Sequence, residues 1–213
     1  TAKTSWSEQA RKECPQLALA AIGGYGRAEL NPHSDIDFMF LHSGQVAGGT
    51  RPLPHLSRII DGLLYPLWDA GLRVGHAVRT PAECADASRD LDAPSATLDG
   101  RLLAGDAALW ERAFEGVLAP VRRDPGAFAA RLVEDRDARR ERFGSVSSLI
   151  EPEVKEGVGG LRDVQTLGWL EAAIGSPFED TGIVRAAERR VVDDAEEFLI
   201  RVRSALHLET GRG

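Results

Sequence analysis

A chain of 213 residues with 26 basic and 33 acidic side chains carries 26 − 33 = −7 formal charges, and it is long enough for one good-sized core with a helical extension. The acidic balance argues against general nucleic-acid binding, which needs a basic face. No apolar run is long enough to span a membrane, no signal-peptide pattern is recognisable, and two cysteines without metal-like spacing, Cys14 and Cys84, fit a reducing cytoplasm.

Residues 1–15 are polar and charged and read as the end of a helix. Leu17 to Ile22 is short, apolar, uncharged and bounded by glycine, which predicts a buried strand. Gly23 and Gly24 follow; lacking a Cβ, they let the backbone turn sharply and let a ligand come close. Beyond a polar turn, Asp35 to Leu41 predicts a second strand. Side chains alternate along a strand, so Asp35 and Asp37 share a face, with Cα atoms ~7 Å apart at a rise of about 3.3 Å per residue. Two carboxylates there suit a hard divalent cation such as Mg2+, which keeps waters and takes further ligands from substrate phosphates. The glycine turn offers backbone N–H groups to those phosphates. Alone, Asp-x-Asp reads as a solvated strand end and Gly-Gly as a tight turn; their ordered combination is the specific signal.

His42 to Pro54 reads as a loop. Leu56, Ile59, Ile60, Leu63, Leu64, Leu67 and Trp68 recur at helical spacing, Pro66 lies in the last turns, and Gly71 caps the end. Leu72 to Arg79 predicts a strand with Leu72, Val74, His76 and Val78 on one face. Thr80, Pro81 and Glu83 form a helix start with a capping box. Further on, the pattern predicts helices over Ser95–Leu103, closed by Gly105; from Asp106 to Leu118; from Asp124-Pro125 to Phe143; over Arg162–Ile174; and over Ile183–Leu208, with Val184, Ala187, Val191, Ala195, Phe198, Val202 and Ala205 in one stripe. Ser145 to Gly160 is irregular and glycine-rich.

The string Gly23-Gly24-Tyr25-Gly26-Arg27, then Glu29-Leu30, then Ser34-Asp35-Ile36-Asp37, resembles the nucleotidyltransferase superfamily typified by DNA polymerase β, and within it the bacterial PII-protein uridylyltransferases. Tyr65-Pro66-Leu67-Trp68-Asp69 with Gly75-His76-Ala77-Val78-Arg79-Thr80, Arg101 to Asp106, and Glu151 to Asp163 match the same branch in order. The resemblance implies an α+β fold: a small mixed β-sheet with packed helices, the nucleotidyltransferase core, over residues 1–92, followed by an all-helical extension over 93–213. It also implies transfer of UMP from UTP to a tyrosine of PII signal protein, with release of pyrophosphate, in the cytoplasm. Full-length members continue into a metal-dependent phosphohydrolase domain and two ligand-sensing domains. Nothing like them is present, so the chain reads as an N-terminal fragment or shortened relative, without uridylyl removal or glutamine sensing.

Asp35 and Asp37 are the expected catalytic metal ligands, with Gly23, Gly24, Arg27, Ser34 and Lys155 at the nucleotide. The alternatives are a salt bridge from Arg27 to Glu29 or Asp35, a turn serine at Ser34, and a solvated Lys155 paired with Glu153 or Glu156. Superfamily members add a third acid from a neighbouring strand. Here the Leu72–Arg79 strand carries His76 instead, a candidate ligand or a hydrogen-bonded histidine on a half-buried face. Asp99 is a further candidate acid or an exposed helix residue. Arg162, a possible site residue, and Asp163 are expected to pair and so anchor the Lys155 loop to the helix that follows, and Lys155 to Asp163 also resembles a segment of glutamine synthetase adenylyltransferases. His33, His42 and His55 read as loop histidines. Two other functions stay open: the same chemistry with another nucleotide or acceptor, and a degenerate nucleotide-binding regulatory module.

Overall fold

A computed structural model of the protein describes residues 16–44, 54–87, 91–143 and 153–211. The helix end expected over 1–15, most of the loop at 42–54 and the first part of the irregular stretch, 145–152, lie outside the described residues. The chain divides into two compact units, Thr1–Val117 and Leu118–Gly213.

In the first unit β1 (Leu17–Ala21), the short turn of helix α1 (Gly23–Gly26) and β2 (Ile36–His42) are followed by α2 (Pro54–Asp69), β3 (Val74–Arg79), α3 (Pro81–Asp86), α4 (Asp92–Leu98) and β4 (Arg101–Gly105). Helix α5 (Ala107–Arg123) crosses the division. The sheet is four-stranded, in the order β3-β2-β1-β4. It is mixed: β1 runs antiparallel to β2 and β4, and β2 runs parallel to β3. All five residues of β1 are buried. That explains its unbroken apolar sequence, since a strand covered on both faces needs no polar alternation.

The two faces are covered by different helices. Leu17, Leu19, Phe38 and Phe40 pack against Leu56, Ile59, Ile60 and Leu64 of α2. On the other face Ala18, Ala20, Met39 and Leu41 meet Cys84 of α3 and Leu109, Ala113 and Val117 of α5. The Cys84 thiol is free, and burial pushes it up to about 11. The expected capping box is present: the Thr80 N–H donates to Glu83 Oε2 at 2.6 Å and the Glu83 N–H to Thr80 Oγ1 at 3.2 Å. Asp106 caps α5 by accepting from the Leu109 N–H at 3.2 Å.

The helix expected over Ser95–Leu103 is corrected. Helix α4 stops at Leu98, and Arg101–Gly105 is instead a strand paired with β1. Without it the second edge of buried β1 would leave its backbone polar groups unpaired, and that demand overrides local helical preference. Gly105 is therefore no helix cap. Its φ is +102°, and a Cβ there would run into the Leu17 carbonyl of β1.

The second unit holds α6 (Pro125–Phe143), α7 (Leu161–Ile174), the short α8 (Phe178–Thr181) and α9 (Ala186–Thr210). The apolar stripe expected along α9 is largely exposed, with Val191 at 68% and Phe198 at 58%. The half-buried side is polar at several positions and includes Arg189, Val192, Glu196, Leu199 and Arg203, with His207 buried. Arg189 reaches Glu171 of α7 at 2.7 Å, so a charged contact helps set the rotation of this helix. The α+β class and the helical C-terminal region agree with the sequence reading.

Gly105→Ala tests the close approach of β4 to β1 at Leu17. The substitution should destabilise the protein by more than ~1 kcal/mol, because the backbone conformation is incompatible with a side chain. Urea unfolding measures this directly.

Candidate active site

The site begins where β1 leaves the sheet. The Ile22 N–H donates to the Asp37 carbonyl at 3.1 Å, which ties the exit of β1 to the start of β2. Gly23 then takes φ +55°, favourable only for glycine-like residues, and α1 makes one turn. The Gly26 N–H bonds the Ile22 carbonyl at 3.1 Å and the Glu29 N–H bonds the Gly24 carbonyl at 2.9 Å, closing the reversal. A second turn delivers the chain to β2: the Asn31 N–H donates to Ser34 Oγ at 3.2 Å, and the Ser34 N–H to the Asn31 carbonyl at 3.1 Å. Ser34 thus serves the turn that precedes Asp35.

Asp37 sits between two glycines. A Cβ on Gly23 would lie 3.8 Å from Asp37 Oδ2, and a Cβ on Gly75 would collide with Oδ1. Gly75 is the β3 partner of Asp37 in the parallel register. Asp35 lies one residue before the strand. Its side chain is 60% exposed and 3.1 Å from Arg73 Nε. Gly24 has room for a Cβ, with the nearest atoms at 3.9 Å, so internal packing does not require glycine there.

His76 pairs with Phe38 across the sheet and therefore shares the α2 face, opposite Asp37. Its ring stacks near Phe40 and Trp68, each at 6.3 Å. Asp99, read as an exposed helix residue or a third acid, is not exposed. Its side chain is 9% exposed and paired with Arg27. Arg27 also donates from Nε to Glu29 at 2.6 Å, so the salt bridge to Glu29 weighed against a phosphate contact is present. Burial works to lower the Arg27 pKa, but Asp99 and Glu29 outweigh it and hold the guanidinium above its ordinary value.

In the second unit, Lys155 and Arg162 belong to one compact loop onto α7. The Lys155 ammonium lies 3.5 Å from Glu156, and its backbone N–H bonds Glu153 Oε1 at 3.1 Å. Arg162 grips Glu156 through two nitrogens at 3.2 and 2.9 Å and lies 5.5 Å over the Trp169 ring. Burial works to raise the Glu156 carboxyl, yet Arg162, Lys155 and Arg139 hold it below the usual glutamate range. Asp163 does not pair with Arg162. It accepts from the Gly159 N–H at 2.9 Å and from Arg139 of α6 at 3.1 Å. The expected Arg162–Asp163 pair is corrected: both residues hold the loop, but through separate partners. Gly160 has no alternative, because a Cβ would lie 2.7–2.8 Å from three carbonyl oxygens.

Among the described residues no group of three or more His, Cys, Asp or Glu side chains forms a ready metal cage. Two carboxylates on an open strand end fit Mg2+, which completes its shell with water and phosphate oxygens. The residues missed in the sequence are Gly75, Arg73 and Arg101. Gly75 carried a signal, since an interior strand glycine marks a close approach. Arg101 was hidden by the helical reading of its segment.

A glycine turn between antiparallel strands, opening beside an Asp-x-Asp on a small mixed sheet, is the arrangement expected of a nucleotidyltransferase core. The comparisons narrow this. Residues 127–213 match the model of the family described as GlnD PII-uridylyltransferase. A bifunctional uridylyltransferase/uridylyl-removing enzyme of Methylococcus capsulatus is 40% identical over 98% of the chain, which spans 24% of that enzyme. Enzymes of the same name from Erythrobacter litoralis and Cereibacter sphaeroides are 38% and 39% identical over 95% and 94% of the chain, which spans 22% of each. The resemblance to the PII-protein uridylyltransferases is borne out, and the chain belongs to that family while spanning about a quarter of the length of these relatives.

Gly75→Ala should displace the Asp37 carboxylate while sparing the core, as glycine at such a point serves close approach. The expected result is a shifted 13C NMR signal of the Asp37 carboxylate with circular dichroism unchanged; an unshifted Asp37 signal would contradict the assigned role of Gly75.

Proposed function

We propose that this chain carries the nucleotidyl-transfer activity of its family: UMP passes from UTP to a tyrosine of PII signal protein and pyrophosphate is released. The observation that supports this most is the placement of Asp37 between Gly23 and Gly75, with Asp35 at the open strand end beside it. The tyrosine oxygen bonds to the α-phosphorus as the bond to pyrophosphate breaks, and the phenolic proton passes to solvent. Asp35 and Asp37 would hold Mg2+, which would supply positive charge to offset that of the phosphates. Backbone N–H groups at Gly23 and Gly24 orient the phosphates, Arg27 adds a guanidinium to them, and Ser34 holds the turn that aims Asp35. In the second unit Lys155 offers a point charge suited to phosphate, with Arg162 holding its loop. None of the described helices is long and apolar enough to cross a membrane.

A nucleotide-binding module without turnover is the second reading. It is favoured by one observation: among the described residues no third acid joins Asp35 and Asp37. A turnover assay with each nucleoside triphosphate and PII as acceptor decides between them, and also tests the choice of UTP over another nucleotide.

In that assay Asp35→Asn and Asp37→Asn should each abolish transfer without loss of fold, because removing one of two repelling carboxylates relieves charge in the metal-free protein. Wild-type turnover in either variant contradicts the assignment. Lys155→Ala should lower turnover more than Lys155→Arg, which keeps the charge; equal, near-normal rates in both would remove Lys155 from the reaction.

A further inference from the structure

The turn α1 has only four residues, too few to hold a helical shape by its own hydrogen bonds. It is gripped instead by the corner between α4 and β4, Asp99-Gly100-Arg101. Arg101 donates from Nε to the Gly26 carbonyl at 3.1 Å and from Nη2 to the Tyr25 carbonyl at 3.3 Å. Its guanidinium also lies 5.3 Å from the centre of the Tyr25 ring. The Tyr25 carbonyl also accepts from the Ala28 N–H at 3.2 Å, so the planar fork of one arginine adds a charged donor there and meets the Gly26 carbonyl where intrahelical partners run out. Asp99 acts on the next residue, pairing with Arg27 from the side opposite Glu29. The corner and the turn meet backbone to backbone, since a Cβ on Gly26 would run into the Asp99 carbonyl. With Nε and Nη1 of Arg27 engaged, Nη2 is directed to the turn, 3.9 Å from where a Cβ on Gly24 would stand.

We propose that Asp99 and Arg101 are positioning residues for the nucleotide: Arg101 fixes the glycine turn, and Asp99 fixes the Arg27 guanidinium beside it. Neither touches substrate. The inference rests on the nucleotidyl-transfer reading and deepens it, because donors aimed at phosphate act through being held in place before substrate arrives.

The test compares Arg101→Ala, Arg101→Lys and Asp99→Asn by equilibrium binding of UTP with Mg2+ and by steady-state transfer to PII. Arg101 is exposed, so its truncation spares the core, and Asp99→Asn leaves Arg27 an acceptor. Arg101→Ala should weaken UTP binding and raise the KM for UTP about 10-fold, the scale of a lost hydrogen bond from a charged group, with the KM for PII unchanged. Arg101→Lys should recover part of the loss, and Asp99→Asn should raise the KM for UTP alone. Wild-type UTP affinity in both Arg101→Ala and Asp99→Asn overturns the proposal. Equal rises in both KM values alongside a lowered Tm also overturn it, because they mark a merely structural role. If Asp99→Asn fails to fold, the two Arg101 variants decide. A wild-type protein that binds UTP but transfers no UMP refutes the nucleotidyl-transfer reading, while the binding measurements still judge the clamp; one that binds no UTP overturns both.

Discussion

The antiparallel pairing of β1 with β2 is the constraint on which the rest of the site depends. Ala21 stands opposite Phe38, and the Ile22 N–H is spent on the Asp37 carbonyl. The chain therefore leaves β1 at the same end of the sheet at which β2 begins, and the glycine turn and the Asp-x-Asp are forced together. Burial enforces the register. A slip of one residue would turn Phe38 and Phe40 away from α2 and put Asp37 into the apolar layer between sheet and helix. Parallel addition of β3 then sets Gly75 beside Asp37, and the missing side chain leaves the carboxylate its space.

The second unit solves a different problem. A glycine-rich loop has little cost in bending and much entropy to lose on ordering. Here charge holds it. Arg162 fastens Glu156, while Arg139 reaches Asp135, Asp163 and the Glu156 carbonyl. The crowding around Gly160 shows how closely the loop is wound on itself. Lys155 is presented from a fixed loop.

Much of this was legible in the sequence because the signals were local. The apolar run of β1, the capping box at Thr80 and the Asp124-Pro125 start depend on neighbours in the chain, and each is found where its residues place it. The errors come from partners distant in sequence. Arg101–Gly105 has helix-compatible residues but is a strand, because β1 needs a partner on its second edge. Asp99 reads as a surface acid until Arg27, 72 residues away, is brought to it. The stripe on α9 obeys helical periodicity, yet the Arg189–Glu171 contact lies on the half-buried side. At the site the glycines and acids were readable as a pattern, whereas their support by Gly75, Arg73 and Arg101 follows from sheet order, which spacing alone does not encode.

The central claim is that the glycine turn and the Asp35–Asp37 strand end together form one metal–nucleotide site. Titration of the 15N-labelled protein with Mn2+, a paramagnetic stand-in for Mg2+, in the presence of UTP tests it most directly. The account predicts selective broadening of the amide resonances of Gly23, Gly24, Asp35, Ile36, Asp37 and Gly75. Broadening centred on the acidic surface of α9, or none at all under saturating UTP, would contradict it.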